Sequence, residues 1–324
     1  MRLDVRYRTT FTYDELIRES HNELRACPTS DDRQQLIAYR VSVSPSARAL
    51  AYTDYWGTRV DAIGVREPHS VFEIVAEAAV ETGRRRPIVA MPTFDDLRDP
   101  AFLDLHSEYL APTRHTEWGK GIRAQADRLT ELNGPDVVRT VLALHGLVGA
   151  RLSYVPGSTD IGIDVEKLLE GGKGVCQDYA HLAVALCRSV GIPARYVSGY
   201  LFTRNDATGE SVDDGEVARV QTHAWFEAAI PGFGWFPLDP TNRTEVAARH
   251  VKIGHGRDYD DVPPLRGLYS GNAVPHVDSS VEIRRMDVTR VPTAVQPPTP
   301  RVVESRRRQE AAQQQQQQQL QKQQ

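Results

Sequence analysis

The sequence predicts an α+β fold, and three observations carry that expectation. Apolar residues recur at every second position from residue 1 to about 90, then at helical spacing after about residue 95, and the period-two pattern returns beyond a helix that starts at Cys176. The expected architecture is an N-terminal all-β domain over 1–90, followed by an α+β core over 95–270. In that core the helix of Cys176 packs on an antiparallel sheet. A chain of 324 residues is long enough for two such units with a segment to spare.

The β domain shows in Leu3, Val5 and Tyr7, in Tyr39, Val41 and Val43, and in the run Val71-Phe72-Glu73-Ile74-Val75. Pro45, Gly57 and Gly64 punctuate these runs, and Asp54-Tyr55-Trp56-Gly57-Thr58 reads as a turn. Helical spacing appears in Phe102, Leu105 and Tyr109, and again in Val137, Val141, Leu144 and Val148 behind Gly134-Pro135-Asp136. A short helix is expected at 165–170, with Asp164 as its cap and Gly171-Gly172 as its stop. The helix of Cys176 carries Ala180, Ala183, Val184, Cys187 and Val190 on its apolar side and ends at Gly191 and Pro193. Three β-like runs follow at 194–201, 219–230 and 233–239. From about residue 285 the chain turns rich in Pro, Arg and Gln, a composition with too little apolar surface to offset its ordering entropy, so 285–324 is expected to be a disordered tail.

The formal charge of −4 supplies no field that would draw nucleic acid or an anionic membrane, and no basic stripe with interleaved aromatics occurs. The first eight residues alternate charged and apolar side chains, unlike a signal peptide, and no run approaches the roughly 18 apolar residues that a membrane span needs. Cys27, Cys176 and Cys187 are an odd, scattered set, which is no disulfide framework. A cytoplasmic location is expected, with neither nucleic acid nor membrane as partner.

Chemistry concentrates around Cys176. The approach Gly171-Gly172-Lys173-Gly174-Val175 leads straight into a cysteine at a helix N-terminus, where unpaired N–H groups and the helix dipole favour a thiolate over a thiol. The same N–H groups can face the oxygen of a tetrahedral intermediate. A lone cysteine is more simply a buried apolar residue, and Cys187, eleven positions on in the apolar stripe, reads that way, as does Cys27. What sets Cys176 apart is its company. His223 opens the run Thr222-His223-Ala224-Trp225, where an imidazole can accept the thiol proton, and Asp239 ends Gly234-Trp235-Phe236-Pro237-Leu238-Asp239, sixteen residues later. On neighbouring antiparallel strands the carboxylate would fix the imidazole tautomer.

Three ordered motifs resemble the transglutaminase-like superfamily: Gly174-Val175-Cys176-Gln177-Asp178-Tyr179-Ala180-His181, Gly191-Ile192-Pro193-Ala194-Arg195-Tyr196-Val197-Ser198-Gly199-Tyr200, and Thr222-His223-Ala224-Trp225 with Gly234-Trp235-Phe236-Pro237-Leu238-Asp239-Pro240-Thr241. Residues 1–90 resemble the β domain that precedes this core in bacterial members, notably at Asn22-Glu23-Leu24-Arg25 and Tyr52-Thr53-Asp54-Tyr55-Trp56-Gly57. The resemblance covers about 1–270. It implies a fold similar to papain-like cysteine proteases, Cys176 as nucleophile, His223 as base and Asp239 as the acid that orients the base. It also implies a cysteine peptidase or amidase that passes through a thioester, with transfer to an amine as the alternative and a non-catalytic peptide-binding module as a further one. The expected partner is a peptide or protein substrate, and no cofactor is expected.

Other residues have plainer accounts beside a functional one. Tyr154 and Gln177 are candidate oxyanion donors, Tyr154 the better placed, and Trp225 and Trp235 are expected as core or cleft wall. Asp178 suits the first helical turn as an anion, and His181 is expected to pack against the β-runs. Ile192-Pro193-Ala194-Arg195 is expected to start a core strand, and Gly256-Arg257-Asp258-Tyr259-Asp260-Asp261-Val262-Pro263-Pro264 to edge the cleft. No metal site is expected, because no Cys-x-x-Cys pair exists and Cys176 and His181 are five apart, off one helix face. The lysine of Gly171-Gly172-Lys173-Gly174 lacks the spacing of a phosphate-binding loop.

Overall fold

The computed structural model of the chain describes residues 1–83, 87–89, 91–159, 162–203 and 217–286. The tail expected from residue 285 lies, from residue 287 onward, outside these described residues. Met1–Met286 form one compact unit that contains both regions expected from the sequence.

Two sheets build the N-terminal half. Strand Arg2–Ile17 is central to the first, between His69–Thr82 on one side and Pro275–Arg285 on the other. Its alternation is physical: Leu3, Val5 and Tyr7 are buried at 0, 4 and 3% exposure, while the charged residues between them face outward. Gln34–Ser44 and Val217–Val220 close the two edges. The second sheet runs in the order Leu265–Ser270, Glu19–Leu24, Arg59–Val65, Ala49–Thr53. The turn after Ala49–Thr53 forms as the sequence implies: Gly57 has φ +79°, and the Asp54 carboxylate accepts from the N–H groups of Trp56 and Thr58 while pairing with Arg25 at 3.1 Å.

The third sheet carries the core, in the order Thr244–Glu245, Gly234–Asp239, Thr222–Ile230, Ala194–Leu201, His250–Gly256. Helices Lys120–Asn133, Val137–Arg151, Val165–Gly171 and Cys176–Ser189 pack with it, burying Phe226, Ala228 and Ile230 of the central strand. Asp136 caps the second of these through Arg139 N–H at 2.9 Å, Asp164 caps the third through Glu166 N–H at 2.8 Å, and Gly172 ends the third in the left-handed region at φ +65°. The helix around Phe102 is only seven residues long, Pro100–His106, and Leu105 is 76% exposed, off the buried side its spacing suggested.

Two connections depart from the simple order of β domain then core. The run 219–230 breaks at Gln221: Val217–Val220 joins the N-terminal sheet and Thr222–Ile230 the core sheet. After the core, Leu265–Ser270 pairs with Glu19–Leu24, and Pro275–Arg285 pairs with Arg2–Ile17 from Leu3↔Arg285 to Tyr13↔Pro275. Val281 and Ile283, buried at 1 and 0%, mark that last strand by their alternation.

The alternate residues of Thr222–Ile230 turn away from the helices and meet charge. Glu227, 4% exposed, binds Arg195 at 2.5 Å and Lys252 at 2.8 Å. Burial would raise the Glu227 carboxyl, but the two cations hold it well below the usual carboxylate range, while burial and Arg195 bring Lys252 down to about 8. Gln34 of the N-terminal sheet pairs its side-chain amide with both backbone groups of Lys252, at 2.8 and 2.7 Å. Glu227→Ala would leave two buried cations without a counter-charge. It is expected to cost about 3–5 kcal/mol, measured as a lowered urea midpoint.

Candidate active site

Cys176 is delivered by a short, firmly held approach. Lys173–Gly174 pairs in parallel with Ser153–Tyr154, and Ser153 N–H and Val155 N–H bond to the carbonyls of Gly172 and Gly174 at 2.7 and 3.1 Å. The helix then begins at Cys176 and is buried from Asp178 to Ser189. Asp178 folds back over its first turn, accepting from Val175 N–H at 2.8 Å and the Thr159 hydroxyl at 2.5 Å. That requires Gly174, since a Cβ there would lie 2.9 Å from the Asp178 side chain. Burial raises the pKa of Asp178 against these two bonds.

Cys176 is half-buried with its sulfur 4.0 Å from the carbonyl oxygen of Thr222. Cys27 and Cys187 are buried, and burial pushes their thiols up to about 11 and about 12. Those two are core, as their positions suggested. His223 sits one residue beyond Thr222, lines the same cleft as Cys176 and hydrogen-bonds to Asp239, with Nε2 2.7 Å from Oδ2. Burial alone would lower the His223 pKa from its ordinary 6.5, yet the bond to Asp239 and the nearby Cys176 raise it to about 10.

Asp239 is fully buried and collects donors. Besides His223, its carboxylate accepts from His250 Nε2 at 3.1 Å, Asn242 N–H at 3.1 Å and Asn242 Nδ2 at 2.8 Å, and its backbone carbonyl from His145 Nε2 at 3.0 Å. Burial would raise the carboxyl pKa, but His223 and His250 hold it far below the usual range. The tautomer of His250 follows from its neighbours: Nδ1 accepts Ala247 N–H at 3.3 Å, so the proton is on Nε2 and points at Asp239. The sequence reading missed His250, His145 and Asn242. Asn242 left a signal, because Asp239-Pro240-Thr241-Asn242 is turn-forming and an aspartate in such a turn commonly accepts from nearby backbone. His250 and His145 left none beyond being polar residues in apolar stretches.

A cleft of about 290 Å³ opens over the sulfur, lined by Tyr154, Cys176, Thr222, His223, Thr241 and Asn242 among others. Tyr154 is 54% exposed. Gln177 is half-buried just behind Cys176 and is not among the described residues that line the cleft. Trp225 packs in the core and is not among the described residues that line the cleft. It is 1% exposed, with its ring 5.4 Å from His250 and 6.1 Å from His223, because strand alternation places it two residues beyond His223 on the same side. It closes the back of the histidine pair, and Gly199 makes room for it, since a Cβ there would stand 2.6 Å from the indole. Trp235 packs beneath Arg195, 3.8 Å from the guanidinium carbon to the ring centre. His181 accepts Tyr259 N–H at 3.2 Å and packs on Tyr196 of the neighbouring strand, and Arg195 sits in the buried charge cluster.

Residues 123–240 match the transglutaminase-like superfamily, and residues 3–81 match the bacterial transglutaminase-like N-terminal region. An uncharacterized Mycobacterium leprae protein is 37% identical over 285 residues, covering 88% of this chain and 99% of that protein. A Pseudomonas aeruginosa protein-glutamine gamma-glutamyltransferase is 29% identical over 154 residues, 44% of this chain and 22% of that protein. A solved Cytophaga hutchinsonii structure described as a "Putative Cysteine Protease" superposes with a TM-score of 0.69 over 89% of this chain and 92% of that one, at 23% identity, which is a likeness of fold. The chain therefore belongs to the transglutaminase-like superfamily and carries its bacterial N-terminal region.

Proposed function

We propose that the chain is a thiol enzyme that attacks peptide or other amide bonds, with Cys176 as nucleophile, His223 as base and Asp239 as the residue that orients the base. The observation that carries this reading is that Cys176 and His223 face one cleft while His223 is hydrogen-bonded to a buried, ionised Asp239. In the proposed reaction the sulfur attacks the acyl carbon while the imidazolium gives its proton to the departing amine. The thioester then yields to water deprotonated by His223, which restores the thiol site. The N–H groups of the first turn of Cys176–Ser189 face the oxyanion, with Tyr154 on the cleft rim as a side-chain donor. His250 acts through Asp239 as a positioning residue. Hydrolysis is favoured because the cleft over Cys176 is open and edged by polar Thr222, Thr241 and Asn242. Transfer of the acyl group to an amine is the second reading, supported by likeness to a protein-glutamine gamma-glutamyltransferase.

Incubating the protein and its Cys176→Ala variant with a peptide library, with and without a primary amine, and following masses separates these outcomes. Cleaved products that depend on Cys176 and do not change with amine are the expected result; amine adducts in their place would make the enzyme a transferase. No Cys176-dependent product, together with iodoacetamide reactivity at pH 6.5 no faster than free cysteine, would leave only a binding module. Asp239→Asn is expected to lower kcat on the order of 10²–10⁴-fold. His250→Phe removes one donor to an ionised carboxylate and is expected to lower kcat by about 10–100-fold with KM little changed, while His250→Gln recovers part of the loss.

The raised His223 pKa gives a pH dependence with a definite sign. Because the folded value of about 10 lies above the ordinary 6.5, the stabilisation from this ion pair is complete below about pH 6.5 and is lost as pH climbs through about 10. Imidazole ¹⁵N resonances should show His223 protonated well above neutrality in the native protein. In Asp239→Asn the titration should fall toward the ordinary value, and the alkaline loss of thermal stability should shrink.

A further inference from the structure

Beside the cysteine cleft lies a second, larger cavity of about 400 Å³, and the two share Gln221 and Thr222. Thr222 is the residue whose carbonyl stands 4.0 Å from the sulfur, so the cavity borders the reacting centre. The N-terminal and C-terminal parts of the chain build it together. Tyr7 and Tyr13 come from Arg2–Ile17, Leu265 and Tyr269 from the strand that returns after the core, and Tyr259 from the turn Tyr259–Asp261, where it packs against the same small buried cluster as Cys176.

Its chemistry is selective. None of the described residues lining it is charged, so a charged group entering would lose hydration with no counter-charge to meet. The tyrosines offer mainly their rings. The Tyr269 hydroxyl donates to the carbonyl of Ala273 at 2.5 Å, and that of Tyr7 is bonded to Ser279 and Thr9. Tyr13 and Tyr269 stand 5.1 Å apart at 59°, an arrangement suited to receiving another ring against its faces and edges. The volume exceeds the needs of one small aliphatic side chain and suits a planar side chain with its adjoining backbone.

We propose that this cavity receives an uncharged aromatic side chain of the substrate, so that the enzyme acts on amide bonds flanked by an aromatic residue. The inference rests on the thiol-enzyme reading above and gives the N-terminal β region a direct part in substrate choice.

The test measures alkylation of Cys176 by iodoacetyl-phenylalaninamide, iodoacetyl-glycinamide and iodoacetyl-aspartamide, with plain iodoacetamide as reference. The phenylalanine probe is expected to react at least about tenfold faster than the other two. Filling the cavity with Val277→Trp, at a half-exposed position on the cavity face of its strand, or with the smaller Val277→Phe should the first variant fail to fold, is expected to remove that preference and leave the iodoacetamide rate unchanged. Equal rates for the three probes, or a preference that survives filling, would overturn the proposal. The absolute iodoacetamide rate reports the thiolate and the ratio among probes reports the cavity, so the two readings fail separately.

Discussion

A single carboxylate organises the reacting end of this molecule. Asp239 has no exposed surface, and ionising it there without partners would be prohibitive, so its four side-chain hydrogen bonds are the condition for its charge to exist. Those donors come from separate pieces of chain: His223 from the central strand, His250 from the far edge of the sheet, and Asn242 from the turn that follows. Fixing one charge therefore fixes the mutual placement of three segments. His223 inherits its position and its proton affinity from that arrangement, and Cys176 meets an imidazole already held.

The same sheet carries a second buried charge group, Arg195, Glu227 and Lys252, away from the helices. It lies where Gln34 of the N-terminal sheet clasps the backbone of Lys252, so the contact between the sheets is polar and directional. Polar contacts of this kind have strict geometry and leave little freedom to slide, whereas apolar faces tolerate many registers. The strand that ends in Val217–Val220 and resumes as Thr222–Ile230 ties the sheets covalently only two residues before His223. Movement between the sheets would be felt at the base.

Much of this was legible in the residues. The helix of Cys176, its stop at Gly191, the pairing of His223 with Asp239 and the turn at Asp54 all follow from local rules, because caps, glycines and period-two runs act over a few positions. The strand Pro275–Arg285 did not, since its short apolar alternation sits among charged residues and its partner is the start of the chain. His250 was hidden for a related reason: a histidine in a β-run looks the same whether it faces solvent or a carboxylate eleven residues away.

The pairing of Arg2–Ile17 with Pro275–Arg285 bears on how the chain is made. A ribosome releases the first strand early and its partner some 270 residues later, so throughout synthesis one whole edge of that strand stays unsatisfied. Contacts of such wide separation close late and slowly. The nascent chain thus holds a long open β edge until Pro275–Arg285 emerges. The aromatic cavity beside Cys176, which that strand helps to wall, is completed last of all.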